Sequence, residues 1–336
     1  MAQHRIAIDA MGSDLGPDKL VPACKTALHE HDDITIIMVG DEAQLKDLAE
    51  KHGLSDNSRI RIVHAAQVVE MTDSPVLALK KKKDSSMRVA INLVHNDEAD
   101  AAVSAGNTGA LMATAKFVLK TVPGIKRPAI CTSIPALRRH THMLDLGANI
   151  DSTAEMLYQY GLMGSALCQA LDGDERPRVG LLNIGQEELK GNDTVKEASA
   201  LLEASTLNYV GFVEGDDIYT GDVDVVVCDG FIGNVALKTS EGLAKMISHN
   251  IRAEFTRSIG SKLAALFAAP VLNRFRKRID SRRYNGASLL GLRKIVIKSH
   301  GSADALAFAN AIGIARLEVI QNIPTRISQL SATLDE

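Results

Sequence analysis

The chain repeats one short pattern. An apolar, β-branched run of four to six residues is followed by a Gly- or Asp-containing turn, then by apolar positions at helical spacing. RIAIDA leads into MGSDLGP and a helix through about Glu30, and ITIIMVG leads into the helix DEAQLKDLAEKHG. RIRIVHA precedes VLALKKKKDSSMRVAINLVH, and ADAAVSAGNTG opens the helix ALMATAKFVL. PAICTSI, THMLDLGAN, VGLLNIG, NYVGFVEG and VDVVVCDG follow, most of them ahead of helix-like segments. Apolar runs alternating with helices predict an α/β protein, with a largely parallel sheet covered on both faces. PAICTSI and THMLDLG have no helix between them, which predicts one antiparallel hairpin in a mixed sheet. Ligands of such sheets bind outside the carboxyl ends of the strands. Polar residues gather there: Asp9, Ser104 to Gly109, Asp145 to Asn149, Asn183 to Asn192, and Asp229 to Asn234. The pattern predicts that these five loops converge on one edge of the sheet.

Composition narrows the function. A formal net charge of −3 over 336 residues gives no global attraction to nucleic acid or acidic lipid, so any such affinity must sit in a local patch. With no Trp and 4% aromatic residues, a base-stacking platform is not expected. Cys24, Cys131, Cys168 and Cys228 show no paired spacing, and Cys131 and Cys228 lie in apolar runs where Cys acts as a small hydrophobe. This usage fits a reducing, cytoplasmic compartment. The opening MAQHRIAIDAMGSD is interrupted too early for a signal peptide, and no run of about 18 apolar residues is present to span a bilayer.

Three loops carry candidate chemistry. In SAGNTGALMATAKF, small residues and glycines let backbone N–H groups approach an anion at a helix N-terminus, although Asn107 or Thr108 can equally be an ordinary N-cap. No Gly-Lys-Ser/Thr follows, and no GxGxxG follows a strand, so neither a Walker loop nor a dinucleotide fingerprint exists. In NIGQEELKGND, Lys190 stands among Gly185, Gly191 and Asn192, as a mobile charge for phosphate or as a solvated loop lysine. In CDGFIGNVALK, the Asn234 amide can donate to a developing oxyanion or cap the helix, and Asp229 orders the loop. Lys80 to Lys83 read as a solvated face or as a dock for an acidic partner, with Asp84, Ser85 and Ser86 starting the next helix. His140 and His142 share one side of a strand, but no third ligand sits at a recognisable distance, so no metal site is expected. No nucleophile signature occurs, and no cofactor is expected.

From Arg252 to Arg283 the composition shifts to nine bases against two acids, a local +7. Apolar residues recur at helical spacing, including Leu263, Leu266 and Phe267 before Pro270 and Val271 and Leu272 after it. This predicts two short amphipathic helices meeting at an apolar tip, AALFAAPVL. Three readings stay open: a core or dimer helix pair, a membrane-surface anchor with Arg274, Arg276, Lys277 and Arg278 facing anionic headgroups, and a dock for an acidic protein.

IAIDAMGSDLGP, VSAGNTGALMA, LDLGAN, NIGQEELKGND, CDGFIGNVALK, GASLLGL and KSHGSAD together resemble the phosphate acyltransferase (PlsX) family of bacterial phospholipid synthesis, over Ile6 to about Ile323. The resemblance implies a fold similar to the isocitrate/isopropylmalate dehydrogenase-like class, with residues 1–250 and 287–336 as catalytic core and 251–286 as a protruding helical pair. It implies a homodimer attached peripherally to the membrane from the cytoplasm. It implies acyl-acyl carrier protein and inorganic phosphate as substrates. The product, acyl phosphate, passes to a membrane glycerol-3-phosphate acyltransferase toward phosphatidic acid. It carries catalytic roles to Lys190 and Asn234. Asp9, Ser104, Gly106, Asn107, Thr108, Gly185, Asn192 and Asp229 are then the expected phosphate and substrate contacts. The rivals are a phosphotransacetylase-like enzyme using acyl-coenzyme A, a nicotinamide-dependent dehydrogenase without an adenosine motif, and a non-catalytic scaffold for acyl carriers at the membrane. The basic arm favours an acidic carrier over coenzyme A, and turnover separates enzyme from scaffold.

Overall fold

The computed structural model describes residues 3–332, without the side chains of residues 276–279 and 281. The β-branched runs become strands because their alternating side chains are covered by helices on each side. In chain order the elements are β1 (His4–Asp9), α1 (Pro17–Glu30), β2 (Ile34–Gly40), α2 (Glu42–Lys51), β3 (Ile60–His64), α3 (Pro75–Lys81), α4 (Ser86–His95) and β4 (Ala101–Ser104). Then come α5 (Thr108–Leu119), β5 (Ala129–Pro135), β6 (His140–Leu144), α6 (Ala154–Asp172), β7 (Arg178–Leu182), α7 (Asp193–Glu203), β8 (Asn208–Val213) and β9 (Val225–Val227). The chain closes with α8 (Gly230–Thr256), α9 (Ile259–Ile279), β10 (Ala287–Leu290), β11 (Ile295–Lys298), α10 (Ala305–Gln321) and α11 (Ile323–Ala332). Helix starts are set locally. Ser74, Ser85, Asn107, Thr153, Asn192, Asp229 and Asp304 each accept a backbone N–H of the first turn, which satisfies an otherwise orphaned donor.

The strands form one sheet in the order β3-β2-β1-β4-β11-β10-β5-β6-β9-β7-β8. The expected hairpin is present, with β5 and β6 antiparallel from Cys131↔Leu144 to Pro135↔His140. Two more antiparallel pairings, β10 with β11 and β10 with β5, surround it. Three reversals in succession leave β6, β9, β7 and β8 running opposite to β1, β2, β3, β4 and β11, while pairing within each block is parallel. The five polar loops therefore do not share one edge. Those after β1 and β4 leave the sheet in one direction, and those after β6, β7 and β9 leave in the other.

The nine strand-like runs omit β10 and β11, which hold four residues each. Their sequences are ASLL and IVIK, and their partners β5 and β4 lie far away in the chain.

Side-chain alternation divides the core between two faces. On one face, α4 and α5 pack over Ala7, Val39, Ala102, Val296, Ile130, Met143 and Val226, with Ala236 and Leu237 of α8 against the same cluster. On the other face, α1, α2 and α10 cover the first block and α6, α7 and α11 cover the second. Glu318 of α10 is buried there, bonded by the Ser288 hydroxyl. Burial pushes its carboxyl up to about 7, against a weaker opposing hydrogen bond from Ser288. The folded state thus keeps the proton longer than the unfolded chain. The associated stability is fully present below the ordinary pKa near 4.5 and is lost as pH rises through about 7. Glu318→Gln, which cannot ionise, is expected to raise the melting temperature at pH 8 relative to the parent and to leave it nearly unchanged at pH 4. Thermal unfolding followed by circular dichroism at both pH values checks this.

Candidate functional site

The carboxyl ends of β1 and β4 build one half of the site. Asp9 is fully buried and its carboxylate accepts from the Ser86 and Ser104 hydroxyls at 2.6 Å each, and from the Met11 and Gly12 backbone. Burial raises its pKa, and these bonds oppose the rise. Ser104 in turn accepts the Gly106 N–H at 3.0 Å. Gly12 and Gly106 press against this carboxylate; a Cβ on Gly12 would lie 2.4 Å from Asp9 Oδ2. The loop geometry is thereby tied to one buried anion. Asn107 is the N-cap of α5, accepting from Ala110, while its amide donates to the Met71 and Asp73 carbonyls at 2.8 and 2.9 Å. Its side chain holds loops together, and Thr108 is the exposed first residue of α5.

Lys298, at the end of β11, was missed by sequence reasoning because its strand was not recognised. The alternation of β11 turns it toward the face that carries α5 and α8. Its ammonium donates to the carbonyl of Ser299 and, at 3.4 Å, to that of Ala105. Burial pushes it down to about 8, with Asp14 and Asp9 opposing and Lys238 of α8 adding to the drop.

The adjacent ends of β6, β9 and β7 build the other half. Asp145, also fully buried, accepts N–H groups from Ile130 (2.9 Å), Ala148 (3.0 Å) and Asn149 (2.7 Å), plus the Asn149 side chain (2.9 Å). The start of α8 rests on this loop. A Cβ on Gly233 would sit 1.9 Å from the Asp145 carbonyl, and one on Gly230 would sit 2.5 Å from that of Asn149. Only glycine permits the approach. Asp229 caps α8 by accepting from Ile232, as expected of a loop-ordering residue. Asn234, the fifth residue of α8, is exposed and packs beside Gly147.

On the neighbouring loop after β7, the Asn183 amide donates to the carbonyls of Gly185 and Lys190 at 3.1 and 3.2 Å and clasps both ends. Lys190 folds back over Gly185, where a Cβ would clash at 2.4 Å. Its ammonium pairs with Glu187 at 2.7 Å and is half-exposed; that hydrogen bond raises its pKa. Asn192 caps α7 through Val195.

Two helices connect the halves. α5 leaves the first half and α8 leaves the second, and both pack on one face of the sheet. Between α5 and the Asp145 loop lies a cleft of about 340 Å³, lined by Met112, Lys116, Arg127, Pro128 and Gly147 to Asn149. Burial, then the Arg127 charge, lowers the Lys116 pKa. The cleft is cationic with apolar walls, suited to an anionic ligand bearing an apolar part. Of the lysine run, Lys82 is structural, donating to Val68 and Asp73 at 2.6 Å.

The basic region differs from its expected form. α9 continues through Pro270, and the helix break falls at Arg257 and Ser258. Pro270 sits in the twelfth position of α9, so the expected apolar tip is helix interior. Leu263, Leu266, Phe267 and Val271 are exposed, Leu266 at 70% and Phe267 at 85%, and Leu272 is half-buried. Arg274 is exposed, whereas Arg276, Lys277 and Arg278 lie outside the described side chains. Arg282 pairs with Asp280 and with the α10 cap Asp304 at 2.6 and 2.9 Å, which ties the end of the region to the core. Among the described residues, no helix is long and apolar enough to cross a membrane.

The solved phosphotransacetylase of Streptococcus pyogenes superposes with a TM-score of 0.63 at 19% identity, covering 95% of this chain and 94% of that one. A branched-chain phosphotransacylase of Enterococcus faecalis gives 0.59 at 14% identity, covering 94% and 100%. These likenesses concern the fold. In sequence, the chain is 59% identical to the phosphate acyltransferase of Methylococcus capsulatus, over 96% of each chain. It is 57% identical to that of Nitrosococcus oceani, over 96% of this chain and 95% of the relative. The family model described as "Fatty acid synthesis protein" matches residues 4–326. With nearly its whole length matched, this chain belongs to that fatty acid synthesis protein family.

Proposed function

We propose that the chain is a phosphate acyltransferase that moves an acyl group from acyl-acyl carrier protein to inorganic phosphate, in the synthesis of phospholipid. The observation that carries this reading is the adjacency of β9 and β7. It brings the Asn234 turn and the Lys190 loop to neighbouring strand ends, with Asn234 beside Gly147 of the cationic cleft. The relatives named phosphate acyltransferase support the reaction type.

A phosphate oxygen attacks the thioester carbonyl, the C–O bond forms, and the C–S bond breaks to release the carrier thiolate, which takes a proton from water. The task is to strip phosphate of water and aim it, a matter of positioning and charge. Lys190 exchanges its Glu187 partner for phosphate, and the Asn234 amide donates to the carbonyl oxygen as charge develops. Thr108 lines that cleft, and Asp9, Ser104 and Gly106 hold the loop from which α5 starts. Asn107, Gly185, Asn192 and Asp229 hold the loops at the positions their hydrogen bonds and close contacts fix. Lys298 joins them as a second cation. The acidic carrier docks on basic surface, and the alternative donor, acyl-coenzyme A, differs by lacking that protein surface.

The fold is taken as isocitrate/isopropylmalate dehydrogenase-like, with 251–286 a basic arm of a homodimer attached peripherally to the cytoplasmic membrane surface. There acyl phosphate meets a membrane glycerol-3-phosphate acyltransferase. The exposed apolar residues of α8 and α9 support a surface that is covered in use.

Purified protein incubated with phosphate and acyl-carrier protein is expected to release carrier thiol and acyl phosphate only when phosphate is present. Lys190→Ala should lower turnover at least ~100-fold with the fold intact, the scale of losing a positioned group in the transition state. A near-normal rate in the folded variant returns Lys190 to a solvated loop residue.

Lys298 is charged below about 8 in the free protein, so kcat/KM for phosphate should fall as pH rises through that value. Lys298→Arg, which stays charged, should remove the fall. A fall that persists unchanged in this variant assigns it to another group.

Replacing Leu266 and Phe267 with Glu should abolish binding to anionic vesicles and spare turnover on a soluble acyl thioester. Each basic residue near such a surface contributes about 1 kcal/mol, so attachment should also weaken with salt in vesicle sedimentation. Dissociation of a dimer instead would assign these residues to a subunit interface.

A further inference from the structure

His140 and His142 stand on one side of β6, at its amino end, with their rings edge to face at 4.8 Å. Asp172 is the last residue of α6 and packs onto the same spot from thirty positions further along. Its Oδ2 receives both imidazoles: His142 Nε2 at 2.9 Å and His140 Nε2 at 3.1 Å. His142 is buried, His140 is one-third exposed, and Asp172 is one-fifth exposed. The cluster lies at the opposite end of β6 from Asp145, five residues or roughly 16 Å along the strand, and the chemistry above makes no use of it.

We propose that His140, His142 and Asp172 form a binding site for a divalent transition-metal ion, Zn²⁺ by donor type, which staples the β6 hairpin to the end of α6. Two imidazole nitrogens and one carboxylate oxygen are a common donor set for zinc, with water completing the tetrahedron. Bonds of about 2.0–2.1 Å in a tetrahedron hold ligand atoms roughly 3.3 Å apart. The two N···O distances already approach that spacing, and all three ligand atoms lie within 4.8 Å of one another. A small turn of the more exposed His140 closes the remaining gap.

The surroundings fit a ligand set. Ser133 Oγ lies 3.1 Å from His142 Nδ1. When His142 Nε2 binds a metal, Nδ1 carries the proton and donates it to this hydroxyl, which fixes ring and tautomer. Without metal, Nε2–H donates to Asp172 and the hydroxyl donates to Nδ1 instead, so one serine serves both states. The Cys168 thiol, one helical turn before Asp172, donates to the same carboxylate oxygen at 3.4 Å and steadies it. Binding to the folded chain alone stabilises it by mass action.

The test is titration of the full chain with Zn²⁺ in phosphate-free buffer, read by calorimetry and by thermal unfolding, with Co²⁺ as a visible probe. One ion per chain, a melting temperature that rises with Zn²⁺, and intense tetrahedral Co²⁺ bands are expected. His140→Ala and Asp172→Asn should each weaken Zn²⁺ at least ~10-fold, and Ser133→Ala by about 10–100-fold, the range for an outer partner. His140→Ala should keep its far-UV circular dichroism and its metal-free turnover, which separates loss of the ligand from loss of the fold. No saturable binding, weak octahedral Co²⁺ bands, or wild-type Zn²⁺ affinity in folded His140→Ala would each overturn the proposal.

Discussion

Everything in this molecule hangs on the backbone pairing of β10 and β11 between β4 and β5. The chain completes nine strands, leaves the sheet through α8 and α9, and returns to insert a hairpin at its centre. Without it the sheet would fall into two pieces, leaving β4 and β5 as two exposed central edges, each a row of unpaired donors and acceptors. With it the two pieces form one sheet; its two reversals cancel and leave β5 running in the direction of β4, and the antiparallel β5–β6 hairpin then turns the second block the opposite way. That reversal splits the strand-end loops into two groups and leaves α5 and α8, on one shared face, to bring them near each other.

Each half is organised around a buried carboxylate. Asp9 and Asp145 lie at the ends of strands in different blocks, yet each collects four hydrogen bonds, from its own loop and from neighbouring elements. A buried carboxylate without such donors is strongly disfavoured, so the loop that supplies them is held in one conformation. The glycines follow from the same demand. Gly12 and Gly106 close on Asp9, and Gly230 and Gly233 on the Asp145 loop, where a methyl group would collide. Both acids are thus buried and hold their loops in place, whereas Lys190 and Asn234 are exposed.

The long helices give the chain a second character. Leu243 and Met246 of α8 and Leu266 and Phe267 of α9 are exposed. Apolar surface of this kind is stabilised only by something that covers it. Arg282, held between Asp280 and Asp304, fixes where the excursion rejoins the core at α10.

The sequence by itself determined the local features. Apolar, β-branched runs marked nine of the strands and helical spacing most helices, capping residues marked some helix starts, and polar strand ends marked candidate site loops. The motifs taken together marked the family. These are short-range properties, set by sterics and by hydrogen bonds between residues a few positions apart. Tertiary structure decided whatever depends on partners far along the chain. ASLL and IVIK pair with β5 and β4, and that pairing brings Lys298 beside the carbonyl of Ala105. The convergence on one edge failed because strand direction is fixed by pairing, which no single run records. Asp172 meets His140 and His142 across thirty residues for the same reason. Pro270, which reads as a break, sits within α9 because proline's loss of one backbone bond is tolerated where surrounding turns carry the helix.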